Sequence, residues 1–461
     1  MTRFSRRTLL QGGLVSGAAL VAGGSLIGSG RASGGLAPAL AEALRRPDSL
    51  PYPNIAPGTD TLPEIEHILV LMMENHSYDN YLGMLGRGPG QTPKGDGFTL
   101  GADGLPTASN PTGTGSTQHA FHLPTTCQLD GQPDQEWTTV HECIDDGAMD
   151  GFASSPSGPV SLGYWTGDDL PFYYSLADTF PIGDRWFCSV PGQTDPNRRY
   201  LTAATSAGMV DDVVAEYPTL PPNGTIFDRL DQYGISWRDY YHLTSSPTTG
   251  LWIDDPSASS PNVVSVDAFF TDAAAGTLPG FAIIDPEFTV GSEENPQDIA
   301  QGEAFAAQVV NAVMSGPAWS STLLVWVYDE HGGYYDHVPP PVAVAPDDIA
   351  PIVPEGASAY DGFARYGVRV PSAVISPWSR PGIVTSVIHD HTSVLAMVER
   401  KWNLPALTAR DANAADLTDF LDLSTPAFLD PPTLAMPAGF PQACESTGPG
   451  AIPPAGSVTT P

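Results

Sequence analysis

Residues 325–341 read VWVYDEHGGYYDHVPPP, and the rest of the chain can be interpreted outward from this stretch. Its first residues are apolar or aromatic, as in a buried β-strand. Two acids, Asp329 and Glu330, follow at once, and after a Gly-Gly pair come Asp336 and His337. Because charges are costly to bury without partners, the stretch is either a surface loop or a strand that delivers ligands to a cation.

The composition limits the classes of partner. The chain has 461 residues, with 52 Asp or Glu against 19 Lys or Arg, and its formal net charge is −33. Such a surface repels nucleic acid, so we expect no nucleic-acid partner. An anionic substrate would then need a local positive source, which a bound metal ion would supply.

The first 30 residues, MTRFSRRTLLQGGLVSGAALVAGGSLIGSG, contain Arg6 and Arg7 before a Gly- and Ala-rich apolar run. This pattern is typical of a twin-arginine export signal; the alternative is an N-terminal membrane anchor, which the glycine content disfavours. We therefore predict a signal peptide over residues 1–41, the twin-arginine export machinery as a partner, and a secreted or cell-envelope location. No other stretch is long and apolar enough to span a bilayer, so we expect no integral membrane segment in the mature protein.

The four cysteines are Cys127, Cys143, Cys188 and Cys444, and none has the C-x-x-C spacing of a metal site. In an exported protein they predict two disulfides. A bond between Cys127 and Cys143 is the first expectation, because the loop that it closes is short.

Strands and helices alternate along residues 64–461, which we expect to form one domain with a Pro-rich tail from about residue 425. Residues 42–63 are also Pro-rich and predict an extended N-terminal arm. Residues 86–160 are rich in Gly, Thr, Pro and Asp, which predicts mostly loop. The alternation predicts an α/β fold, a doubly wound and mostly parallel sheet with helices on both faces.

Polar residues follow the predicted strands at one edge of this sheet. Glu74 and Asn75 end an apolar run, Asp329 and Glu330 end another, and Thr194 follows a Pro-Gly turn. In open α/β sheets, ligands bind beyond the carboxyl ends of the strands. Oxygen ligands suit Ca²⁺, Mg²⁺ or Mn²⁺, and carboxylates also bind Zn²⁺ or Fe. The alternative for each acid is a helix cap or a solvated side chain.

Thr194 and Arg198 lie in SVPGQTDPNRRY, residues 189–200, which predicts a turn followed by a helix. A hydroxyl on a metal ion loses its proton more easily and becomes a nucleophile. Backbone N–H groups at the helix start could hold a phosphate oxygen, and Arg198 could add a bidentate positive charge. The alternatives are an N-cap threonine and a salt bridge on the helix surface.

Histidines near these segments are candidates for protonating a leaving group or for holding a phosphate. His337 follows the Gly-Gly pair, His391 lies in HDHTS, and His141 lies in a separate loop, EWTTVHECIDDGAMDGF. The alternative for each is a solvated loop histidine. His331 receives no role.

Several stretches together resemble the bacterial phosphoesterase family of phospholipases C and acid phosphatases, a branch of the alkaline-phosphatase-like superfamily. They occur in the family's order over residues 64–425. They are specific as a set rather than singly, and they include IEHILVLMMENHSYDNYLG (65–83), GAMDGF (147–152), PGQTDPNR (191–198), VYDEHGGYYDHVPPP (327–341) and HDHTSVLAMVERKW (389–402).

The resemblance implies a doubly wound α/β fold with one or more divalent catalytic metal ions. It implies that Thr194 is the nucleophile, that it contacts the metal, and that it forms a phosphoryl-enzyme intermediate. The family's polar site residues fall at or near His141, His337 and His391. The other implied metal ligands are Glu74, Asn75, Asp329 and Glu330.

The chain departs from the family pattern at Gln135 and Asn295, where many members have histidine, and at Gln193, where proline is usual. Our prediction is an exported, metal-dependent phosphoric ester hydrolase of the phospholipase C type, acting on phosphoesters such as those of phospholipid head groups. The nearest alternative is an acid phosphatase that acts on phosphomonoesters. A non-catalytic binding protein of the same fold is the alternative from another class.

Overall fold

The computed structural model describes residues 44–128, 133–242, 246–288 and 290–439, apart from the side chain of Ala215. The predicted signal peptide lies outside these residues, as do Cys444 and the end of the Pro-rich tail. Within the described ranges, no helix combines the length and the apolar character needed to cross a bilayer.

An eight-stranded sheet forms the centre of the molecule, in the order β12-β6-β11-β10-β1-β9-β7-β8. Two smaller sheets pair β2 with β3 and β4 with β5. The strands are β1 (His67–Met73), β2 (Ser109–Pro111), β3 (Thr117–His119), β4 (Phe121–His122), β5 (Gly163–Tyr164), β6 (Ile182–Gly183), β7 (Trp237–Tyr241), β8 (Val263–Ser265), β9 (Phe281–Ile284), β10 (Thr322–Tyr328), β11 (Ser372–Ile375) and β12 (Val384–Thr385).

Helices follow most of these strands along the chain. The α-helices are α1 (Tyr78–Leu82), α2 (Trp137–Ile144), α3 (Pro171–Thr179), α4 (Thr194–Ala203), α5 (Ile226–Gln232), α6 (Val266–Ala275), α7 (Ile299–Ser315), α8 (His391–Trp402) and α9 (Ala409–Ala412). Short 3₁₀ turns occur at Asp145–Gly147, Pro159–Leu162, Val214–Glu216, Thr249–Leu251, Pro256–Ser259, Trp319–Ser321 and Leu417–Phe420.

The two central strands, β1 and β10, are parallel neighbours and are buried along nearly their whole length. Successive side chains of a strand point to opposite faces, so both faces of the sheet are covered here. Parallel pairing continues through β9, β7 and β8, whereas β11 pairs antiparallel with both β10 and β6. The predicted α/β fold with a mostly parallel sheet is confirmed.

The region predicted as loop contains more structure than its composition indicates. Residues 86–160 include the hairpin of β2 and β3 and the eight-residue helix α2. The prediction of two disulfides is wrong, because Cys143 and Cys188 are both free, buried thiols. The expected Cys127–Cys143 bond is therefore wrong as well. Cys127 is disulfide-bonded. Chain distance alone was a poor guide, because α2 packs Cys143 into an apolar cluster with Val140 and Phe152.

Candidate active site

The ends of the central strands meet at one edge of the sheet. Met73 pairs with Tyr328, so the next residues, Glu74 and Asp329, lie side by side. The Asp329 N–H donates to the Met73 carbonyl oxygen at 3.1 Å and continues the ladder by one residue. On the other side of β1, Asp285 directly follows β9. Three buried carboxylates therefore leave the sheet at the same edge.

The Gly-Gly turn lets the chain segments that follow β1 and β10 touch. Asn75 has a φ of +67°, a left-handed conformation that asparagine tolerates, and its N–H donates to Asp329 Oδ1 at 3.2 Å. Gly332 has a φ of +65°, and a Cβ there would lie 1.9 Å from the Asn75 carbonyl oxygen. Glycine is required at this position by both conformation and space.

Thr194 is the first residue of α4, after the N-cap Gln193. Its hydroxyl lies 3.5 Å from Glu74 Oε2 and 3.4 Å from Asn75 Oδ1. Thr194 is 9% exposed, whereas Glu74 and Asn75 are each 1% exposed. Thr194 is therefore the least buried of the three side chains. The preceding loop is held by the side-chain amide of Asn197, which donates to the carbonyl oxygens of Val190, Gly192 and Gln193.

Arg198 does not face a phosphate position, and the expectation that it binds substrate is corrected. Its guanidinium is fully buried. Its nitrogens lie 2.8 Å from Glu74, 2.8 Å from Asp285 and 3.1 Å from Asp329, so its donors are directed to carboxylates. Because it lies one helical turn after Thr194, it fixes α4 against the strand ends and supplies one positive charge beneath the site.

One arginine does not balance the buried acids. Burial, followed by the charge of Asp329, raises the pKa of Glu74 and of Glu330 well above the usual carboxyl range. Burial also raises the pKa of Asp285 to about 7. Glu330 Oε1 and Asp285 Oδ2 are buried without a hydrogen-bond partner among the described residues. Buried carboxylate oxygens in this state are the donor set of a divalent cation, so the residues present fit the expected metal.

Two buried histidines contact the acids that follow β10. His391, the first residue of α8, is fully buried, and its Nε2 donates to the Asp329 carbonyl oxygen at 2.6 Å. Burial lowers its pKa. A buried imidazole whose N–H is used in this way holds the strand end and is poorly placed to protonate a leaving group. His331 is also fully buried, and burial lowers its pKa to about 3.

His337 was a candidate for protonating a leaving group or holding a phosphate, but the structure places it in a separate cluster of charged side chains. Its Nδ1 lies 2.7 Å from Asp79, and Arg369 binds Asp79 and Asp336 at 3.3 and 2.9 Å. Burial alone would lower the pKa of His337, but its hydrogen bond with Asp79 raises it to about 9. Asp79, Asp336 and His337 have the spacing of a metal site. The charges of Arg369 and of protonated His337 already compensate the two acids.

His141 lies on α2, away from the residues at the strand ends. Its Nδ1 donates to the Trp137 carbonyl oxygen at 2.6 Å, and its ring stacks on Tyr360. No hydrogen bond or ring contact within the described ranges joins His141 to Thr194 or Glu74. The structure therefore places this candidate proton donor in a neighbouring cavity.

Sequence analysis missed the surroundings of two buried acids. Asp285 was visible as an acid ending the strand in FAIIDPEF, but nothing in the sequence linked it to Arg198. No sequence pattern indicated that Glu293 would be buried among aromatic side chains. It is fully buried, and its carboxyl group accepts hydrogen bonds from three phenols, those of Tyr81, Tyr173 and Tyr328.

Two of the departures from the family pattern have local explanations. Asn295 donates to the Tyr334 hydroxyl at 3.2 Å, so an amide there takes part in a buried polar network. Gln193 Oε1 accepts the Asp212 N–H at 3.1 Å, which ties the residue before α4 to the chain segment at residue 212. Neither replacement removes an oxygen from the group formed by Glu74, Asn75 and Thr194.

The chain is similar in sequence to known phospholipases C. Non-specific phospholipase C1 of Arabidopsis thaliana is 33% identical over 384 residues, which cover 76% of this chain and 69% of that protein. Phospholipase C A of Mycobacterium tuberculosis is 31% identical over 424 residues, covering 82% of this chain and 81% of that protein. The structure of an alkaline phosphatase superfamily protein from Vibrio parahaemolyticus aligns with a TM-score of 0.37 and 10% identity over 67% of this chain and 71% of that one, which is a distant likeness.

The Phosphoesterase family matches residues 65–405. This range contains all eight strands of the central sheet, from β1 to β12. It also contains Glu74, Thr194, Asp329 and Glu330. The chain belongs to the Phosphoesterase family and is a phosphoric ester hydrolase.

Proposed function

We propose that this chain is a metal-dependent phosphodiester hydrolase of the phospholipase C type, with Thr194 as its nucleophile. The observation that carries the proposal is the position of the Thr194 hydroxyl, which lies within 3.5 Å of Glu74 Oε2 and Asn75 Oδ1, both of them on buried side chains. Relatives named phospholipase C support the type of substrate.

Glu74, Asn75, Asp329 and Glu330 would hold the divalent cation. When bound, the cation would offset the charge of the buried acids and favour the alkoxide form of a neighbouring hydroxyl. Arg198 holds the carboxylates of Glu74 and Asp329 in place through its two contacts with them, at 2.8 and 3.1 Å.

In the first step the Thr194 oxygen attacks phosphorus, and its proton moves towards Glu74 Oε2, the carboxylate oxygen within reach. The bond between phosphorus and the alcohol oxygen breaks, and the alcohol leaves with a proton taken from solvent. Thr194 is then esterified to the phosphorylated head group. In the second step water attacks phosphorus and releases a proton to solvent, and the bond to Thr194 breaks. The Thr194 oxygen takes back the proton held by Glu74, and the phosphorylated head group leaves.

The test is Thr194→Ala with a nitrophenyl phosphodiester as substrate. We expect turnover to fall by on the order of 10³-fold or more, because the attacking oxygen is gone. Thr194→Ser is the matched control, since it keeps a hydroxyl and should retain measurable turnover. Bound metal is measured for both variants. Full turnover by a metal-loaded Thr194→Ala protein would exclude Thr194 as the nucleophile, and a strong preference for nitrophenyl phosphate would indicate a phosphomonoesterase.

We also propose that the protein is exported by the twin-arginine route. The proposal rests on Arg6 and Arg7 before a Gly- and Ala-rich run. Replacing both with lysine should retain the protein in the cytoplasm, as measured by cell fractionation. Unchanged export of the double variant would contradict the proposal.

A further inference from the structure

The loop that follows α4 returns to the nucleophile and places one acid beside it. Asp212 Oδ1 accepts the Asp195 N–H at 2.8 Å, and the Asp212 N–H donates to Gln193 Oε1 at 3.1 Å. Asp212 therefore contacts the residues immediately before and after Thr194. The proposed hydrolysis gives this acid no role.

Asp212 uses a backbone group that suits a phosphate oxygen. Asp195 is the second residue of α4, so its N–H is one of those at the helix start that have no partner within the helix. Such N–H groups bind anions, either phosphate oxygens or carboxylates. Asp212 thus places a carboxylate where the helix start could otherwise hold a phosphate oxygen next to Thr194.

The charge of Asp212 acts on the acids at the strand ends. After burial and the charge of Asp329, the charge of Asp212 is a further cause of the raised pKa of Glu330. Partial burial, followed by the charges of Asp195 and Asp329, in turn raises the pKa of Asp212 well above the usual carboxyl range. A divalent cation among the strand-end acids would favour the ionised form of Asp212 again. The surroundings of Thr194 therefore disfavour additional negative charge.

The nearby positive charges are already engaged. Arg198 and Arg199 both lie on α4 and are fully buried. Arg198 contacts three carboxylates, and Arg199 donates to two backbone carbonyl oxygens. The two lysines of the chain each contact an acid elsewhere. Neither guanidinium on α4 is therefore left to meet a second negative charge on a phosphate group.

We propose that Asp212 selects the charge of the phosphoester, because its carboxylate disfavours a phosphomonoester dianion beside Thr194 and so favours a phosphodiester monoanion. The proposal rests on the proposed function, since it concerns the substrate of the same site. A phosphomonoester carries about −1.5 to −2 charges at neutral pH, whereas a diester carries one. The additional charge of the monoester would meet the Asp212 carboxylate.

The alternative is that Asp212 only caps α4. Asparagine caps a helix start about as well as aspartate does. Asp212→Asn therefore keeps the hydrogen bond to the Asp195 N–H and removes the charge, whereas Asp212→Ala removes both. Comparing the two variants separates the effect of charge from the effect of loop structure.

The kinetic test compares nitrophenyl phosphate with methyl nitrophenyl phosphate, which share a leaving group and differ by one charge at about pH 8.5. With metal-loaded protein, Asp212→Asn should raise kcat/KM for the monoester by about tenfold more than for the diester. Asp430→Asn, at an exposed position, removes the same formal charge elsewhere and should leave the ratio of the two kcat/KM values unchanged. An unchanged ratio in Asp212→Asn, or a change seen only in Asp212→Ala, would overturn the proposal.

A binding measurement makes the test independent of turnover. Inorganic phosphate and dimethyl phosphate are titrated by calorimetry into metal-loaded Thr194→Ala protein, with and without Asp212→Asn. Removing the charge should tighten the binding of phosphate by about tenfold more than that of dimethyl phosphate. Equal tightening, or none, would exclude Asp212 as the residue that selects charge. If Thr194→Ala still hydrolyses the nitrophenyl diester, the proposed nucleophile fails, and the phosphate affinities alone decide the role of Asp212.

Discussion

The buried carboxyl group of Glu293 makes a prediction about stability that can be worked from the structure. Glu293 is fully buried beside three phenols, and burial raises its pKa from an ordinary value near 4.5 to about 8. The folded protein therefore binds a proton that the unfolded chain has released. Because the folded-state pKa is the higher one, the free energy of unfolding must fall as the pH rises from 4.5 to about 8.

The shift sets the size of the effect. A difference of about 3.5 pH units corresponds to at most about 5 kcal/mol between the two ends of this window. Glu293→Gln removes the ionisation. It also costs on the order of 1–3 kcal/mol, because an amide matches the hydrogen bonds of Tyr81 and Tyr173 less well. The variant should be less stable than the wild type near pH 5, and the gap should close or reverse near pH 8.5.

The assay is urea unfolding at several pH values with saturating metal, followed by circular dichroism. Glu355→Gln, at an exposed position, is the matched control and should follow the wild-type curve. If Glu293→Gln and the wild type lose stability in parallel between about pH 5 and pH 8.5, the assignment of a protonated, buried Glu293 is wrong.

Three further predictions concern charged groups. Arg198→Gln should lower the free energy of unfolding by about 3–5 kcal/mol in the absence of metal, because it leaves buried carboxylates uncompensated. Added divalent cation should recover part of this loss, as measured by urea unfolding. Glu330→Gln should weaken metal binding by at least about tenfold in calorimetry, and it should keep or raise the melting temperature of the metal-free protein. An unchanged affinity for metal would show that Glu330 is not a ligand. His337→Asn should remove a component of stability that the wild type has below pH 6.5 and loses as the pH rises through about 9, measured as the difference between the two unfolding curves.

Local patterns were sufficient for the scaffold of the site. The apolar runs before Glu74 and Asp329 are continuous and short, which is typical of strands buried on both faces, and they do form the two central strands. Because β1 and β10 are parallel neighbours, Glu74 and Asp329 at their carboxyl ends lie side by side. The helix after Thr194 followed from its turn residues in the same way.

Long-range contacts between side chains could not be obtained from these patterns. From the sequence, Arg198 is expected on the surface of a helix. Only the packing of α4 against the strand ends brings it to Asp285, which is 87 residues away in the chain. His337 follows Glu330 closely in the chain, but the glycine turn between them sends it to Asp79, 258 residues away. Sequence proximity to a ligand is therefore weak support for a role in the same site.

Asp329 and Glu330, the two adjacent acids that follow β10, have different surroundings. This difference explains why both acids are needed after the strand. Asp329 Oδ1 accepts the N–H groups of Asn75 and Glu330 at 3.2 and 2.7 Å, and its Oδ2 lies 3.1 Å from the Arg198 guanidinium. Glu330 Oε2 accepts the Gly332 N–H at 2.8 Å, whereas its Oε1 is buried without a partner among the described residues. Asp329 therefore joins β1, β10 and α4 into one edge, and Glu330 presents an open oxygen there. A cation here would give Glu330 Oε1 a partner, whereas it would share Asp329 oxygens that already accept hydrogen bonds. Loss of Asp329 should therefore disturb the architecture, and loss of Glu330 should chiefly weaken metal binding.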